Sequence, residues 1–184
     1  MKAVLSSFFA AIFLIVLMTA SSCSGKKQEI RRNIRELESH SVAIPAEMLL
    51  IKDGQMVFDR DTMQYHHQLL IWVSPEECSE CRIAHLAELS PVREEISKHP
   101  SVDMKVILSP READVKSIIN KIVEIKPEGK IFVDSDGLFG LMNQFIPAGV
   151  MYHTFLLDEN NVPILVGNPL SGEKMFELFK KTIE

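Results

Sequence analysis

The sequence QLLIWVSPEECSECRIAHL, at positions 68–86, contains the pattern that decides the fold. Its first six residues are almost entirely apolar, with β-branched and aromatic members, which predicts a buried central strand. Pro75 ends that strand, and apolar residues then recur at helical spacing from Ile83 onward. The sequence therefore places two cysteines, Cys78 and Cys81, at the start of a helix that directly follows a buried strand.

Strands and helices alternate along the chain on both sides of this segment. In chain order, the patterns predict a hairpin around Asp53-Gly54, the strand at 68–73, a helix from Cys78 that Pro91 kinks or splits, a strand at 102–108, a helix at 110–125, a strand at 130–133, a helix at 138–145, a hairpin formed by 153–158 and 162–166, and a closing helix at 172–183. In the closing helix we expect Met175, Leu178 and Phe179 to face the core. This alternation predicts an α/β layered fold with a mixed sheet.

The first 22 residues have the pattern of an export signal. Lys2 is the only charge before an apolar run at 3–20, and small residues then lead to Cys23. This resembles a bacterial lipoprotein signal, in which the cysteine thiol is acylated and the chain is cut just before it, although Ala20 stands where that pattern prefers Leu. The alternative is an uncleaved transmembrane anchor. Both interpretations export the domain and keep it at a membrane.

The segment 23–42 is predicted to be a charged tether between the membrane and a domain at 43–184. Ile30, Ile34 and Leu37 recur at helical spacing, which predicts a short amphipathic helix within the tether. The chain is 46% hydrophobic, which supports a substantial core. Its formal net charge of −5, without a long basic run, argues against a nucleic-acid partner.

The number of cysteines limits the possible partners of Cys78 and Cys81. The chain has three cysteines, and if Cys23 carries lipid, only Cys78 and Cys81 remain. In an exported protein these two can be oxidised, and they have no other partner.

The buried strand, the C-x-x-C pair that opens a helix, and the late hairpin HTFLLDENNVPILVG at 153–167 together resemble the thioredoxin fold. The resemblance covers about 44–184 and is to the membrane-tethered, exported thioredoxin-like thiol–disulfide oxidoreductases. It implies a thioredoxin-like three-layer α/β/α domain with a central mixed β-sheet and a redox-active disulfide without an organic cofactor. It further implies envelope protein thiols or disulfides as substrates, a membrane thiol carrier as electron donor, and a lipid-anchored location in the bacterial envelope that faces the periplasm.

The sequence departs from that family in three places. Glu77 stands where Trp usually precedes the first cysteine, and Ser79-Glu80 replaces the usual Gly-Pro or Pro-Pro between the cysteines. His153 occupies the position of the hallmark cis-proline, just before Thr154. By analogy with the family's cis-proline loop, we expect His153 and Thr154 to shape the substrate side of the site.

The C-x-x-C pair has the parts that disulfide exchange requires. Cys78 at the helix start is the expected attacking sulfur, because the helix dipole favours its thiolate, and Cys81, expected beneath it, would resolve the mixed disulfide. Glu76, Glu77 and Glu80 bring negative charge close, which raises the thiol pKa and makes the pair a weaker oxidant. We therefore expect a reductase or isomerase.

Two alternatives to an enzyme follow from the same residues. Cys78, Cys81 and His153 could hold Cu(I) or Zn(II), because thiolates bind soft ions, and His85 is a further candidate ligand. The pair could also be a structural disulfide in a redox-silent thioredoxin-fold binding module. A bridge that closes only a two-residue loop stabilises little, which favours redox chemistry over a structural role.

Overall fold

The computed structural model describes residues 25–57 and 65–184. The chain divides into two units, Met1–Glu36 and Leu37–Glu184. Residues 25–37 form helix α1, as the spacing of isoleucines predicted. The expected signal at 1–22 and Cys23 lie outside the described residues. Within 25–57 and 65–184, no helix is long and apolar enough to cross a membrane.

The second unit begins earlier than the boundary at residue 43 that we expected. Leu37 and Val42 are both buried, and the Val42 amide donates to the Asn161 carbonyl at 2.8 Å. Residues 37–42 therefore pack with the domain rather than belonging to a solvated tether. The sequence did not indicate this, because the segment is mostly polar and its apolar residues are scattered.

In the described part of the second unit, 37–57 and 65–184, the chain forms seven strands and five further helices. The strands are β1 (Leu49–Lys52), β2 (Gln55–Val57), β3 (His67–Val73), β4 (Val102–Leu108), β5 (Lys130–Val133), β6 (Thr154–Leu157) and β7 (Pro163–Val166). The helices are α2 (Ser79–Ala84), α3 (Ser90–Ser97), α4 (Val115–Ile125), α5 (Leu138–Met142) and α6 (Glu173–Ile183). Short 3-10 turns lie at Leu86–Leu89, Glu112–Asp114, Val150–Tyr152 and Pro169–Ser171.

The strands form one mixed sheet in the order β2-β1-β5-β4-β3-β6-β7. The central strands β3, β4 and β5 are parallel, and the other neighbouring pairs are antiparallel. The tight turn between β1 and β2 is confirmed at Asp53 and Gly54, whose φ angles are 51° and 77°. Strand β3 lies between β4 and β6, so the cysteine pair follows a central strand.

Helices cover both faces of the sheet. The larger core joins side chains of β3, β4 and β5 with those of α2, α3, α4 and α6. Neighbouring residues of a strand point to opposite faces, and Ile71 belongs to this core whereas Trp72 does not. On the other face Trp72 packs against Phe139 of α5, with ring centroids 5.3 Å apart. The three-layer α/β/α arrangement with a mixed sheet is therefore confirmed.

Two helices differ from their predicted form. In α6, Phe179 is buried as predicted and Met175 is half-buried, whereas Leu178 is 48% exposed. Ile183, with Phe176 packed against the core, completes the buried side. Leu178 precedes Phe179 by one residue, a rotation of about 100° that carries it away from the core. Helix α5 ends at Met142 rather than 145, because the Asn143 side chain caps the helix through Phe139.

Candidate functional site

Cys78 and Cys81 form a disulfide at the start of α2. Their Cα atoms are 5.3 Å apart, and Cys78 is the N-cap residue of the helix. The Cys81 amide donates to Cys78 Sγ at 3.2 Å. A helix-end N–H that points at this sulfur stabilises negative charge on it when the disulfide is reduced. This contact distinguishes Cys78 from Cys81 as the site of a thiolate.

The sequence between β3 and α2 explains why the pair stands at the surface. A turn follows β3, in which the Glu77 amide donates to the Ser74 carbonyl at 3.0 Å, and Pro75 prevents the strand from continuing. Both cysteines are exposed. The expectation that Cys81 lies beneath Cys78 is therefore wrong for the oxidised protein, although the two sulfurs are within bonding reach as expected.

Glu77, directly before Cys78, turns inward rather than toward solvent. Its side chain is 10% exposed, and Arg82 of α2 donates to Oε2 through Nε at 3.2 Å and Nη2 at 3.1 Å. The Ser74 amide donates to Oε1 at 3.2 Å, and Nδ1 of His153 lies 2.7 Å from the same oxygen. Glu77 thus joins the loop before α2 to α2 itself and to the residue preceding β6.

These contacts lower the pKa of Glu77. Burial alone would raise the pKa, but the hydrogen bonds with His153 and the Ser74 amide and the positive charge of Arg82 outweigh burial. Glu77 is therefore an ionised carboxylate whose charge is balanced locally.

Of the three glutamates expected to raise the pKa of the Cys78 thiol, only Glu76 and Glu80 have the expected exposure. Glu76 and Glu80 are exposed on the solvent side of the pair, as expected for like charges near Cys78. Glu77 is instead paired with Arg82, so its negative charge does not oppose a thiolate as we assumed. The sequence could not indicate this, because the pairing depends on His153, which lies 76 residues further along the chain.

His153 is buried, with 1% of its side chain exposed. Besides its contact with Glu77, its Nε2 lies 3.1 Å from the Pro147 carbonyl oxygen, and its ring centroid lies 4.5 Å from that of Trp72. The Trp72 amide also donates to the His153 carbonyl at 2.8 Å. The residue at the family's cis-proline position therefore reaches the cysteine loop through its side chain, and its peptide bond with Tyr152 is trans.

The metal-binding alternative does not fit this geometry. Both ring nitrogens of His153 are hydrogen-bonded, and the two cysteine sulfurs are bonded to each other. His85, the other candidate ligand, is exposed and contacts Glu88 at 2.7 Å. Across 25–57 and 65–184, no group of three or more His, Cys, Asp or Glu side chains is arranged to hold a metal ion. In the oxidised protein, Cys78, Cys81 and His153 therefore do not form the predicted ligand set.

Thr154 begins β6 opposite Ile71 and is buried, like His153. Their predicted role on the substrate side is untested, and any effect on a substrate must pass through their neighbours. Val150 and Met151, in the 3-10 turn just before His153, are both exposed. Sequence reasoning did not select these two residues, although an apolar pair close to the predicted substrate loop was a signal that could have identified them.

A buried series of hydrogen bonds fixes the orientation of the Trp72 ring. Trp72 Nε1 donates to Ser109 Oγ at 3.0 Å, and Ser109 donates to Asp134 Oδ2 at 2.8 Å. Asp134 also accepts the amides of Leu138 and Phe139 at the start of α5. Trp72 is therefore a core residue, as expected, and its ring packs against the ring of His153.

No known family profile matches the sequence, and no curated protein matches it. Solved structures do resemble it. The thioredoxin domain of a thiol-disulfide oxidoreductase from Bacteroides vulgatus has a TM-score of 0.51 and 16% sequence identity, covering 79% of this chain and 99% of that one. A thiol-disulfide oxidoreductase from Bacteroides fragilis has a TM-score of 0.50 and 15% identity, covering 78% and 99%. A thioredoxin-like protein solved in the oxidised form has a TM-score of 0.50 and 17% identity, covering 80% and 95%.

These likenesses concern the fold. At such low identity they confirm that the chain has the thioredoxin-like fold, with a close C-x-x-C pair after the central strand β3.

Proposed function

We propose that this chain is a thiol–disulfide oxidoreductase that exchanges its Cys78–Cys81 disulfide with the thiols and disulfides of other proteins. The observation that carries the proposal is the exposed disulfide at the start of α2, with the Cys81 amide directed at Cys78 Sγ. A sulfur that other proteins can reach, beside a donor that favours its thiolate, has the two properties that exchange requires.

The exchange reaction follows from the order of the two sulfurs. In the reduced protein, the Cys78 thiolate attacks one sulfur of a substrate disulfide, which forms a mixed disulfide and releases the other substrate sulfur as a thiolate. The Cys81 thiol, on deprotonation, then attacks Cys78 Sγ, re-forms the Cys78–Cys81 bond and releases the second substrate thiolate. Two electrons pass from the pair to the substrate, which ends with two thiols. No organic cofactor takes part.

The direction of electron flow that we propose is reduction or isomerisation of substrates. Glu76 and Glu80 are exposed near Cys78, and their negative charge disfavours the thiolate. A less stable thiolate makes the disulfide harder to reduce, so the pair is not a strong oxidant. Repeated turnover then requires an external donor, which we propose to be a membrane thiol carrier.

The proposed location is the bacterial envelope, with the chain anchored through lipid on Cys23. The support is the export pattern at 1–22 and the cysteine that follows it. The proposed substrates are envelope proteins, whose contact with the site is supported by the exposed apolar side chains of Val150 and Met151.

A redox titration combined with an activity assay tests the proposal. The full chain, purified in detergent, is equilibrated in thiol–disulfide buffers while the free thiols are counted, and insulin reduction is measured alongside. We expect one reversible two-electron couple, with insulin reduction lost in Cys78→Ser and retained in the exposed control Ser97→Ala. A pair that stays oxidised in every buffer, or activity that survives Cys78→Ser, would refute the proposal.

A further inference from the structure

The exchange steps above leave Glu77 and His153 without a role, although both are buried next to the cysteine loop. Their contact is short, 2.7 Å between Nδ1 of His153 and Oε1 of Glu77. Buried polar groups of this kind are costly unless every donor meets an acceptor, so their protonation can be worked out from their partners.

The partners of His153 place a proton on each ring nitrogen. The Pro147 carbonyl oxygen, 3.1 Å from Nε2, can only accept a hydrogen bond, so Nε2 donates. Glu77 accepts N–H groups from Arg82 and from the Ser74 backbone, which marks it as an ionised carboxylate, so Nδ1 donates as well. Neutral imidazole carries only one N–H. With two acceptors, His153 is an imidazolium.

The surroundings of the ring suit a cation. Strand β3 contributes the Trp72 ring, whose centroid lies 4.5 Å from that of His153, and aromatic rings attract cations. The loop before α2 contributes the Glu77 carboxylate, and α2 contributes Arg82 on the far oxygen of that carboxylate. The segment before β6 contributes the Pro147 carbonyl. Two cations and one anion leave this cluster with a net charge of +1.

We propose that His153 is a positioning residue: an imidazolium bonded to Glu77, the residue directly before Cys78, whose buried positive charge favours the Cys78 thiolate in the reduced protein. The proposal rests on the proposed function. The effect of His153 on the Cys78 thiolate opposes that of the exposed Glu76 and Glu80 and offsets it in part, so the pair remains a weak oxidant as proposed.

Loss of the charge at His153 should lower the reactivity of Cys78. His153→Gln keeps an amide N–H that can face Glu77 but removes the positive charge. We expect the alkylation rate of Cys78, measured at neutral pH in a Cys81→Ser background, to fall by a factor of about 3 to 10, which corresponds to a rise in thiol pKa of roughly half to one unit. His85→Gln is the matched control, since His85 is an exposed histidine four residues after Cys81. In this variant we expect no change in the alkylation rate of Cys78.

Two spectroscopic measurements separate charge from structure. In the full chain, a long-range proton–nitrogen NMR spectrum should show both ring nitrogens of His153 protonated at neutral pH. Trp72 is the single tryptophan, and an imidazolium against its ring quenches fluorescence, so the emission should rise in folded His153→Gln. His153→Asn, with a smaller amide, replaces His153→Gln if the latter does not fold by circular dichroism.

The outcomes are distinct from those of the exchange test. A wild-type spectrum with only one protonated ring nitrogen would overturn the inference, as would an unchanged alkylation rate in a folded His153 variant. Neither measurement requires turnover, so both can support the buried imidazolium even if insulin reduction fails. Conversely, a reversible redox couple with a neutral His153 would leave the proposed function standing without this role.

Discussion

Single residues around Cys78 fall into a buried and an exposed set with opposite effects on its thiolate. Glu77, His153 and the half-exposed Arg82 form the buried set, named for its carboxylate and imidazole, and the carboxylate is paired on both oxygens. Glu76 and Glu80 form the exposed set. Glu77 replaces the usual Trp, and His153 replaces the usual proline. The two replacements depend on each other, because their side chains are hydrogen-bonded.

The lowered pKa of Glu77 predicts a specific acid sensitivity. A carboxylate whose pKa is lower in the folded state stabilises the fold above the ordinary glutamate pKa of about 4.3, and this stabilisation is lost as pH falls through the lower folded value. We therefore expect the free energy of unfolding, measured with urea, to fall more steeply below about pH 4.3 in the wild type than in Glu77→Gln.

Glu76→Gln is the matched control for this acid sensitivity, since it removes an exposed carboxylate one position away. It should keep the wild-type slope within error. Equal slopes in the wild type and Glu77→Gln would contradict the account, since the Glu77 contacts would then contribute nothing that protonation removes.

At this scale the sequence predicted the cysteines but not their supporting residues. Cys78 and Cys81 could be selected because their spacing, the preceding strand and the following helix are all local features. The inward orientation of Glu77 could not, because it results from the pairing of β3 with β6, which brings His153 to the cysteine loop. The effect of Glu77 on the Cys78 thiolate was inferred from its identity alone, and its pairing with Arg82 and His153 removes that effect.

Among the secondary-structure elements, the short helix α5 is held at its C-terminal end by the Asn143 side chain. Asn143 is buried and exchanges two hydrogen bonds of 2.8 Å with the backbone of Ala43, while Nδ2 also donates to the Phe139 carbonyl at 2.7 Å. Asn143 thereby ties the segment before β1 to the end of α5. Phe139 of that helix supports Trp72, so this contact lies one layer behind the candidate site.

Asn143→Ala should therefore destabilise the protein. The substitution removes the partners of the half-buried Ala43 amide and carbonyl. An unpaired buried group costs about 1–3 kcal/mol and a half-buried one costs less, so we expect a loss of roughly 2 kcal/mol in the free energy of unfolding. Chemical denaturation provides the measurement, with Asn120→Ala on the exposed side of α4 as the control. A loss below about 1 kcal/mol would show that the Ala43 contacts are replaced by water.

The strands that the sequence predicted best are short, rich in β-branched residues and bounded by Pro, Gly, Ser or Asp. Strands β4 and β5 have the bounds that were expected, 102–108 and 130–133, although β4 contains Asp103 and Lys105. The closing helix was found, but Leu178 was assigned to the wrong face, since hydrophobicity does not reveal which apolar residue the sheet covers. The packing of residues 37–42 depends on contact with the distant β6–β7 turn and had no local signal.

For the whole molecule, the thioredoxin-like fold explains where the pair lies, and the export pattern at 1–22 supports the proposed location in the envelope. A disulfide in a chain exported to an oxidising compartment needs a source of electrons to act as a reductant. The proposed lipid anchor would keep the domain next to a membrane donor, so the anchoring and the direction of electron flow support each other.

Lipid attachment at Cys23 can be tested by metabolic labelling. We expect a radioactive fatty acid to label the wild-type chain in a bacterial host and the label to be lost in Cys23→Ser, because the acylated sulfur is removed. Cys78→Ser is the matched control and should keep the label in full. Labelling that persists in Cys23→Ser would contradict lipid attachment at Cys23. A wild-type chain without label would also contradict it and would favour the uncleaved anchor.

The central claim is that Cys78 attacks substrate disulfides and Cys81 resolves the product, and trapping of mixed disulfides tests it most directly. The full chain carrying Cys81→Ser is expressed in bacterial envelopes, acid-quenched and run on non-reducing gels beside Cys78→Ser. The account predicts that Cys81→Ser accumulates thiol-sensitive adducts with envelope proteins and that Cys78→Ser does not, because only Cys78 Sγ accepts the helix-start amide. Adducts that form equally through Cys81, or the absence of adducts in both variants, would contradict it.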